Sequence, residues 1–179
     1  MSLVLGLTGP NAAGKGEVSA YLGSLGFVVH SLSDIVREEA AVRSLAPERE
    51  HLIRIGTLLR HKGGAGVLAE RLIPRLGGRD VVDSIRHPAE VEALRRVPGF
   101  LLVGVDAPAA VRFERSRSRA RPGDPESEAE FAARERQENS ADPAGQKLRE
   151  TLELADRIVV NDGDLRDLHA KVDALLAGL

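Results

Sequence analysis

Cysteine and tryptophan are both absent from this 179-residue chain, which holds one tyrosine and four phenylalanines. Without thiols, disulfides, thiolate nucleophiles and zinc–thiolate centres are excluded. With so few aromatic rings, there is little from which to build a platform for stacking unpaired bases. An excess of one charge is missing too. Lys and Arg number 25 against 27 Asp and Glu, a formal charge of −2, so nothing draws the whole chain toward nucleic acid or an anionic membrane. No apolar run nears the roughly 18 residues of a bilayer-spanning helix. No basic leader or cleavage site stands ahead of the first apolar segment, and the expected location is the cytoplasm. Repeats, low-complexity tracts and linkers are absent as well, and a chain of this length buries its core as one domain.

What is present begins at residue 9. Gly9-Pro10-Asn11-Ala12-Ala13-Gly14-Lys15-Gly16 fits the pattern G-x-x-x-x-G-K. It follows the apolar run Leu3–Thr8, which reads as a buried strand, and precedes residues 17–25, where Val18, Tyr21, Leu22 and Leu25 fall at helical spacing. Glycines at both ends let the backbone turn tightly and aim several N–H groups at one point, where a side chain would obstruct a phosphate. Lys15 neutralises the outer phosphates, and the helix start adds partial positive charge. The expected donor site is therefore Gly9, Asn11, Ala12, Ala13, Gly14, Lys15, Gly16 and Glu17, with ATP as the ligand. Gly16 stands where such loops ordinarily place a hydroxyl on Mg²⁺, so the ion is expected on phosphates, water and carboxylates from elsewhere.

The rest of the chain alternates strand and helix. Residues 27–30 read as a second strand and residues 35–77 as a helical stretch broken at Pro47 and at Gly63-Gly64, with a cap among Ser31, Leu32, Ser33 and Asp34. Asp34 and Arg37 lie three apart on one helix face. They can meet an acceptor and its phosphate, or act as a cap and a surface arginine. Arg60 and Lys62 fit a phosphate contact and an ordinary basic helix end equally well. Residues 80–83 form a third strand with a carboxylate, Asp83, at its tip, the arrangement that holds Mg²⁺ in phosphate-loop enzymes. Parallel strands converge on one crevice at their C-terminal ends, which places Asp83 near Lys15 and puts Arg86 in reach of an acceptor. His87 reads as the residue ahead of a helix-starting proline.

Residues 100–105 read as a central strand and Asp106 as the cap of a helix carrying Arg112, Arg115, Arg117 and Arg119. With Arg121, these arginines make either a nucleic-acid patch or a lid that closes on the transferring phosphoryl group. Glu126, Glu128 and Glu130 follow at once and favour the lid, to which Arg134 and Arg136 are further candidates. Residues 139–146 read as a return loop, 157–160 as the last strand, and 164–176 as a helix with Leu165, Leu168, Val172, Leu175 and Leu176 on one face. Asn161 and Gly163 then edge the crevice at the adenine, or belong to an ordinary αβ turn built from the same residues. The expected architecture is a three-layer α/β/α fold with a five-stranded parallel sheet. Its core comprises residues 1–34, 78–118 and 141–179, with a helical acceptor-binding insert at about 35–77 and a short lid at about 119–140.

Taken together, these segments resemble the P-loop nucleoside and nucleotide kinases, specifically the adenylate kinase and dephospho-CoA kinase branch, over essentially the whole chain. Gly14-Lys15-Gly16 looks like the G-K-G of adenylate kinase loops, with Glu17 in place of the usual threonine. Ser33-Asp34-Ile35-Val36-Arg37 resembles G-D-M-L-R, and Asp83-Ser84-Ile85-Arg86 a shortened D-G-F-P-R; both arginines would hold an acceptor phosphate. Val105-Asp106-Ala107-Pro108 with Arg115 and Arg119 looks like the strand and lid-base helix that bring arginines to the transferred phosphate. Residues 155–163 are similar to the terminal A-D-x-x-I-x-N-x-G of dephospho-CoA kinases, beside the adenine. Ile85-Arg86-His87-Pro88-Ala89-Glu90-Val91-Glu92 matches the I-R-x-x-x-E-V-E of small dephospho-CoA kinase-like proteins.

The resemblance implies transfer of the γ-phosphoryl of ATP, with Mg²⁺, to a nucleotide-like small molecule. A nucleoside or deoxynucleoside monophosphate is the expected acceptor, with dephospho-CoA as the alternative. Lys15, Asp34, Asp83, Arg115 and Arg119 would be catalytic. Asp34, Arg37, Arg60 and Arg86 would bind the acceptor, and Asp83 and Asp34 would hold the metal mostly through water. From another class, the alternative is a nucleotide-binding regulator or nucleic-acid-binding protein built on the arginine segment. No membrane partner is expected, and the chain is expected to be a monomer or homodimer.

Overall fold

The computed structural model describes residues 2–119, 125–137, 139 and 141–179. Short β-branched and leucine-rich runs become five strands: β1 (Leu3–Thr8), β2 (Val28–Ser31), β3 (Arg79–Asp83), β4 (Phe100–Asp106) and β5 (Arg157–Val160). Their order across the sheet is β2-β3-β1-β4-β5, and every pairing is parallel. β1 is the middle strand, with β3 on one side and β4 on the other. The order reverses there, which opens a crevice outside the C-terminal ends of the strands.

Strand alternation divides the apolar residues between the two faces. Val4, Val82 and Leu102 share one core with Ile35, Leu59, Leu68 and Val91, from the helices α2 (Leu32–Val42), α3 (Arg49–Gly63), α4 (Val67–Leu72) and α5 (Pro88–Leu94). Leu5, Leu7, Val81, Val103 and Val159 share the other with Val18 and Leu22 of α1 (Lys15–Ser24) and Leu168 and Val172 of α9 (Leu165–Ala177). Helices thus cover both faces, as an all-parallel sheet requires. The remaining α-helices among the described residues are α6 (Ala109–Arg119), α7 (Glu128–Gln137) and α8 (Leu148–Glu153), and a short 3₁₀ turn, Ile73–Arg75, follows α4. No helix among the described residues is long and apolar enough to cross a membrane.

Several expected boundaries move. The helix expected near Ile35 begins at Leu32, because β2 passes straight into it and Ser31 serves as both last strand residue and cap, its hydroxyl accepting from the Ser33 amide at 3.3 Å. Asp34 is therefore a first-turn residue and not the cap. Asp106 closes β4 instead of capping α6; its carboxylate accepts the Ala107 amide at 2.8 Å. Leu165 opens α9 but is exposed, so the helix's buried face starts at Leu168. The breaks expected at Pro47 and at Gly63-Gly64 separate α2 from α3 and α3 from α4. The segment Arg121, Pro122, Gly123 and Asp124 of the expected lid lies outside the described residues.

Candidate active site

The loop between β1 and α1 is shaped by two glycines that no other residue can replace without displacement. Gly9 has φ +134°, and a Cβ there would stand 2.0 Å from the carbonyl oxygen of Val105. Gly14 has φ +106°, and a Cβ there would stand 2.2 Å from Nδ2 of Asn161. Ala12 between them is also left-handed, at φ 59°. Gly14 contributes no side-chain cap to α1, and the first-turn amides of a helix have no partner within it. Nζ of Lys15 reaches back over the loop, donating to the carbonyl oxygens of Gly9 at 2.7 Å and Pro10 at 2.8 Å. The Lys15 ammonium thus folds back onto a glycine-shaped turn at the start of α1, and a cation beside a helix N-terminus is the electrostatics of an anion cradle.

Asn161 fastens this loop to the far side of the sheet. The side chain is buried; Nδ2 donates to the carbonyl of Ala13 at 2.9 Å, and the backbone N–H donates to Asp106 at 2.7 Å. Arg115 closes the arrangement from α6. Its guanidinium donates to the Asn161 carbonyl at 2.9 Å, to Asn161 Oδ1 at 3.2 Å and to the Gly163 carbonyl at 3.2 Å. Lys171 pins the same turn from α9, donating to Val160 O at 2.9 Å and pairing with Asp162 and Asp167 at 2.7 Å each. The Lys171 hydrogen bond holds the Asp162 carboxyl below the usual range. Ala110, Val111, Glu114, Arg115, Ser118 and Arg119 line an open, shallow cleft along one face of α6, and Arg115 joins it to this turn.

On the other side of β1, the chain continues past the end of β3 in contact with the loop strand. Oγ1 of Thr8 donates to Ile85 O at 3.0 Å, and the Ile85 amide donates to Leu7 O at 3.3 Å. Asp83, whose carboxylate accepts the Ser84 amide at 2.6 Å, is thereby held next to the start of the loop. The guanidinium of Arg86 donates to Gln146 Oε1 at 3.0 Å, and its carbonyl accepts from the Lys147 amide at 2.8 Å. Asp34 and Arg37 are exposed and paired with each other at 2.6 Å, at the start of α2. His87 caps α5 through Nδ1, which accepts the Ala89 amide at 3.1 Å, and its Nε2 lies 2.9 Å from Pro143 O. Since a carbonyl only accepts, Nε2 is the donor in that contact.

Along the chain, the Gly9-to-Glu17 segment follows β1, Asp34 and Arg37 lie in the first two turns of α2 after β2, Asp83 ends β3 with Arg86 just beyond it, Arg115 and Arg119 lie on α6 after β4, and Asn161 and Gly163 follow β5. Arg60 points inward. It is 5% exposed and spends Nε and one terminal nitrogen on Glu90, at 3.0 and 2.7 Å. Arg112 also points inward. It donates to Ala107 O at 2.9 Å, pairs with Glu135 and lies over the Phe131 ring, stitching α6 to α7. Glu90, buried, and Gln146 and Lys147 are the partners of Arg60 and Arg86 that sequence reasoning missed. Gln146 stands 60 positions from Arg86 and Glu90 stands 30 from Arg60, and no local pattern announces such pairs. Among the described residues no three His, Asp or Glu side chains cluster as a cation site.

No protein-family model matches the chain. A UPF0200 protein of Hyperthermus butylicus is 35% identical to it over 181 residues, spanning 99% of this chain and 95% of its own. The chain belongs to the UPF0200 family. A longer UPF0200/UPF0201 protein of Archaeoglobus fulgidus is 36% identical over 98% of this chain, which spans 55% of that protein. Among solved structures, TT1252 from Thermus thermophilus superposes with a TM-score of 0.63 at 26% identity, covering 99% of this chain and 98% of the other. Shikimate kinase from Bacteroides thetaiotaomicron gives 0.66 at 17% identity over 100% of both chains. A gluconokinase from Sinorhizobium meliloti gives 0.54 at 16%, over 99% of this chain and 95% of the other. These two likenesses concern fold alone. The UPF0200 chain has the fold of the P-loop kinase superfamily, with the five-stranded parallel sheet expected from its sequence.

Proposed function

We propose that this UPF0200 protein is a phosphotransferase that moves the γ-phosphoryl group of ATP to a nucleotide-like small molecule bearing a phosphate, a nucleoside or deoxynucleoside monophosphate. The observation that carries this reading is the Lys15 ammonium resting on the carbonyls of Gly9 and Pro10, inside a loop whose glycines leave no room for side chains. The donor's phosphates take the place of those carbonyls and of solvent on the loop amides. The base lies against α6, in the cleft beside Asn161 and Gly163. Arg37 and Arg86 are assigned to the acceptor, and two arginines favour an anionic one. Its phosphate oxygen attacks the γ-phosphorus, the bond to the β-bridging oxygen breaks, and ADP leaves with that electron pair.

A phosphate nucleophile gives up no proton in this step. With a hydroxyl acceptor such as dephospho-CoA, the alternative, the proton passes to a base, for which Asp34 is the candidate. Mg²⁺, for which Asp83 and Asp34 are the nearby carboxylates, supplies charge neutralisation on the phosphates. Arg115 and Arg119 stabilise the charge that spreads during transfer. Little covalent work falls to the protein in such chemistry, because positioning and electrostatics carry it. The inward engagement of Arg112 weakens the rival reading of α6 as a nucleic-acid surface.

ATP consumption measured against nucleoside monophosphates, deoxynucleoside monophosphates and dephospho-CoA tests the proposal. Turnover is expected with one phosphate-bearing member. Arg86→Ala is expected to raise KM for that acceptor about tenfold or more, the worth of a charged hydrogen bond, with KM for ATP unchanged. Normal acceptor kinetics in the Arg86 variant would remove that residue from the site.

A further inference from the structure

Glu90 is 0% exposed, and a carboxylate buried so deeply is costly unless paired and hydrogen-bonded. Both its oxygens are used twice. Oε1 accepts from Nε and a terminal nitrogen of Arg60, and Oε2 accepts the backbone amides of Arg86 at 2.8 Å and His87 at 3.1 Å. Capping α5 requires only the His87 amide. The bonds to Arg60 and to the Arg86 amide go beyond that need. Arg60 belongs to α3 of the helical insert, whereas Arg86 lies on the rim after β3. The Arg86 carbonyl is held from the opposite side by the Lys147 amide. Its main chain is therefore clamped on both sides. Apolar residues of similar volume are often as stable as a buried ion pair, so stability does not account for this one.

We propose that Glu90 is a positioning residue for Arg86, and that its pairing with Arg60 makes the helical insert and the acceptor-binding arginine one mechanical unit. This rests on the reading of Arg86 as the group that binds the acceptor's anion. The chemistry demands a carboxylate because four donors converge on one group, and both of its ends must accept. An amide at position 90 has a single oxygen. Its NH₂ group must face either the Arg60 guanidinium or the two backbone amides, all of them donors. With an amide at position 60 as well, the conflict disappears: the two side chains pair and the oxygen at position 90 keeps both backbone donors.

The test compares the natural protein with E90Q, R60Q/E90Q and R86A, each as the full chain. It reads thermal stability, Mg·ATP affinity, and binding of inorganic phosphate followed at backbone amides by NMR. The natural protein is expected to bind phosphate near Arg86 and R86A to lose that response. E90Q is expected to bind phosphate about tenfold more weakly with Mg·ATP affinity unchanged, and R60Q/E90Q to recover most of the loss. A purely structural role predicts an E90Q protein that is less stable yet binds phosphate normally, and that result overturns the proposal. So does a double variant that remains as weak as R86A, and this arm decides alone should E90Q fail to fold. A phosphate response lacking in the natural protein, or kept by R86A, instead overturns the reading of Arg86 itself, and the positioning role falls with it.

Discussion

Asn161 makes three kinds of contact at once: its amide nitrogen holds the carbonyl of Ala13, its amide oxygen meets Arg115, and its carbonyl meets Arg115 again. Asn161→Asp keeps the shape and both contacts to Arg115 while setting an anionic oxygen against the Ala13 carbonyl. A buried acceptor left without its donor costs about 1–3 kcal/mol, so Mg·ATP is expected to bind about tenfold more weakly by calorimetry; unchanged affinity would show that the contact does not shape the loop. Gly14→Ala meets the same asparagine from the other side, and a melting temperature equal to that of the natural protein would contradict the 2.2 Å approach. At this scale the sequence was legible for one partner of each pair. The loop glycines, Lys15 and the strand-end Asn161 stand in recognisable local contexts, but the bond from Asn161 to Ala13 spans 148 positions. Arg60 was misread for the same reason, since its charge is visible in the sequence and the carboxylate that absorbs it is not.

Among the elements, the edge strand β2 is fastened to β3 by a polar contact between their side chains. Asp80 is buried and accepts from Nε2 of His30 at 2.9 Å and from the amides of Gly77 and Gly78. Burial pushes its carboxyl pKa up, but these donors outweigh the effect and hold it below the ordinary value. A carboxylate depressed in the folded state contributes stability that is fully present above its unfolded pKa near 4 and is lost as pH falls through the lower folded value. Denaturant unfolding between pH 5 and pH 2 is thus expected to show stability falling with acid. Asp80→Asn is expected to be less stable at neutral pH and flatter across that window. A variant with the same acid slope as the natural protein would assign the dependence elsewhere. The strands and the breaks of the helical insert were readable because period and punctuation are local. The start of α2 was not, because no loop separates it from β2. The seam between α6 and α7 is carried by Arg112 and Glu135, which nothing in either helix pattern announces.

For the molecule as a whole, a near-neutral charge and a rim that gathers every strand's C-terminal end both point inward, to a crevice and not to an outer surface. A salt-dependent mobility shift with duplex DNA is expected to show no retardation at moderate salt, whereas retardation that weakens steeply with added salt would favour the arginine-surface alternative. The helical insert on one side and α6 with α7 on the other flank the loop that holds Lys15, so donor and acceptor would meet between them. The account stands or falls on that loop's holding a polyphosphate. Titration of the natural protein and of Lys15→Met with Mg·ATP by calorimetry measures it most directly, because methionine keeps the length of the side chain and removes only its charge and donors. The account predicts one site per chain in the natural protein and an affinity about a hundredfold lower in the variant, with the melting temperature in the absence of nucleotide little changed. No heat from the natural protein, or equal affinity in both, would contradict it.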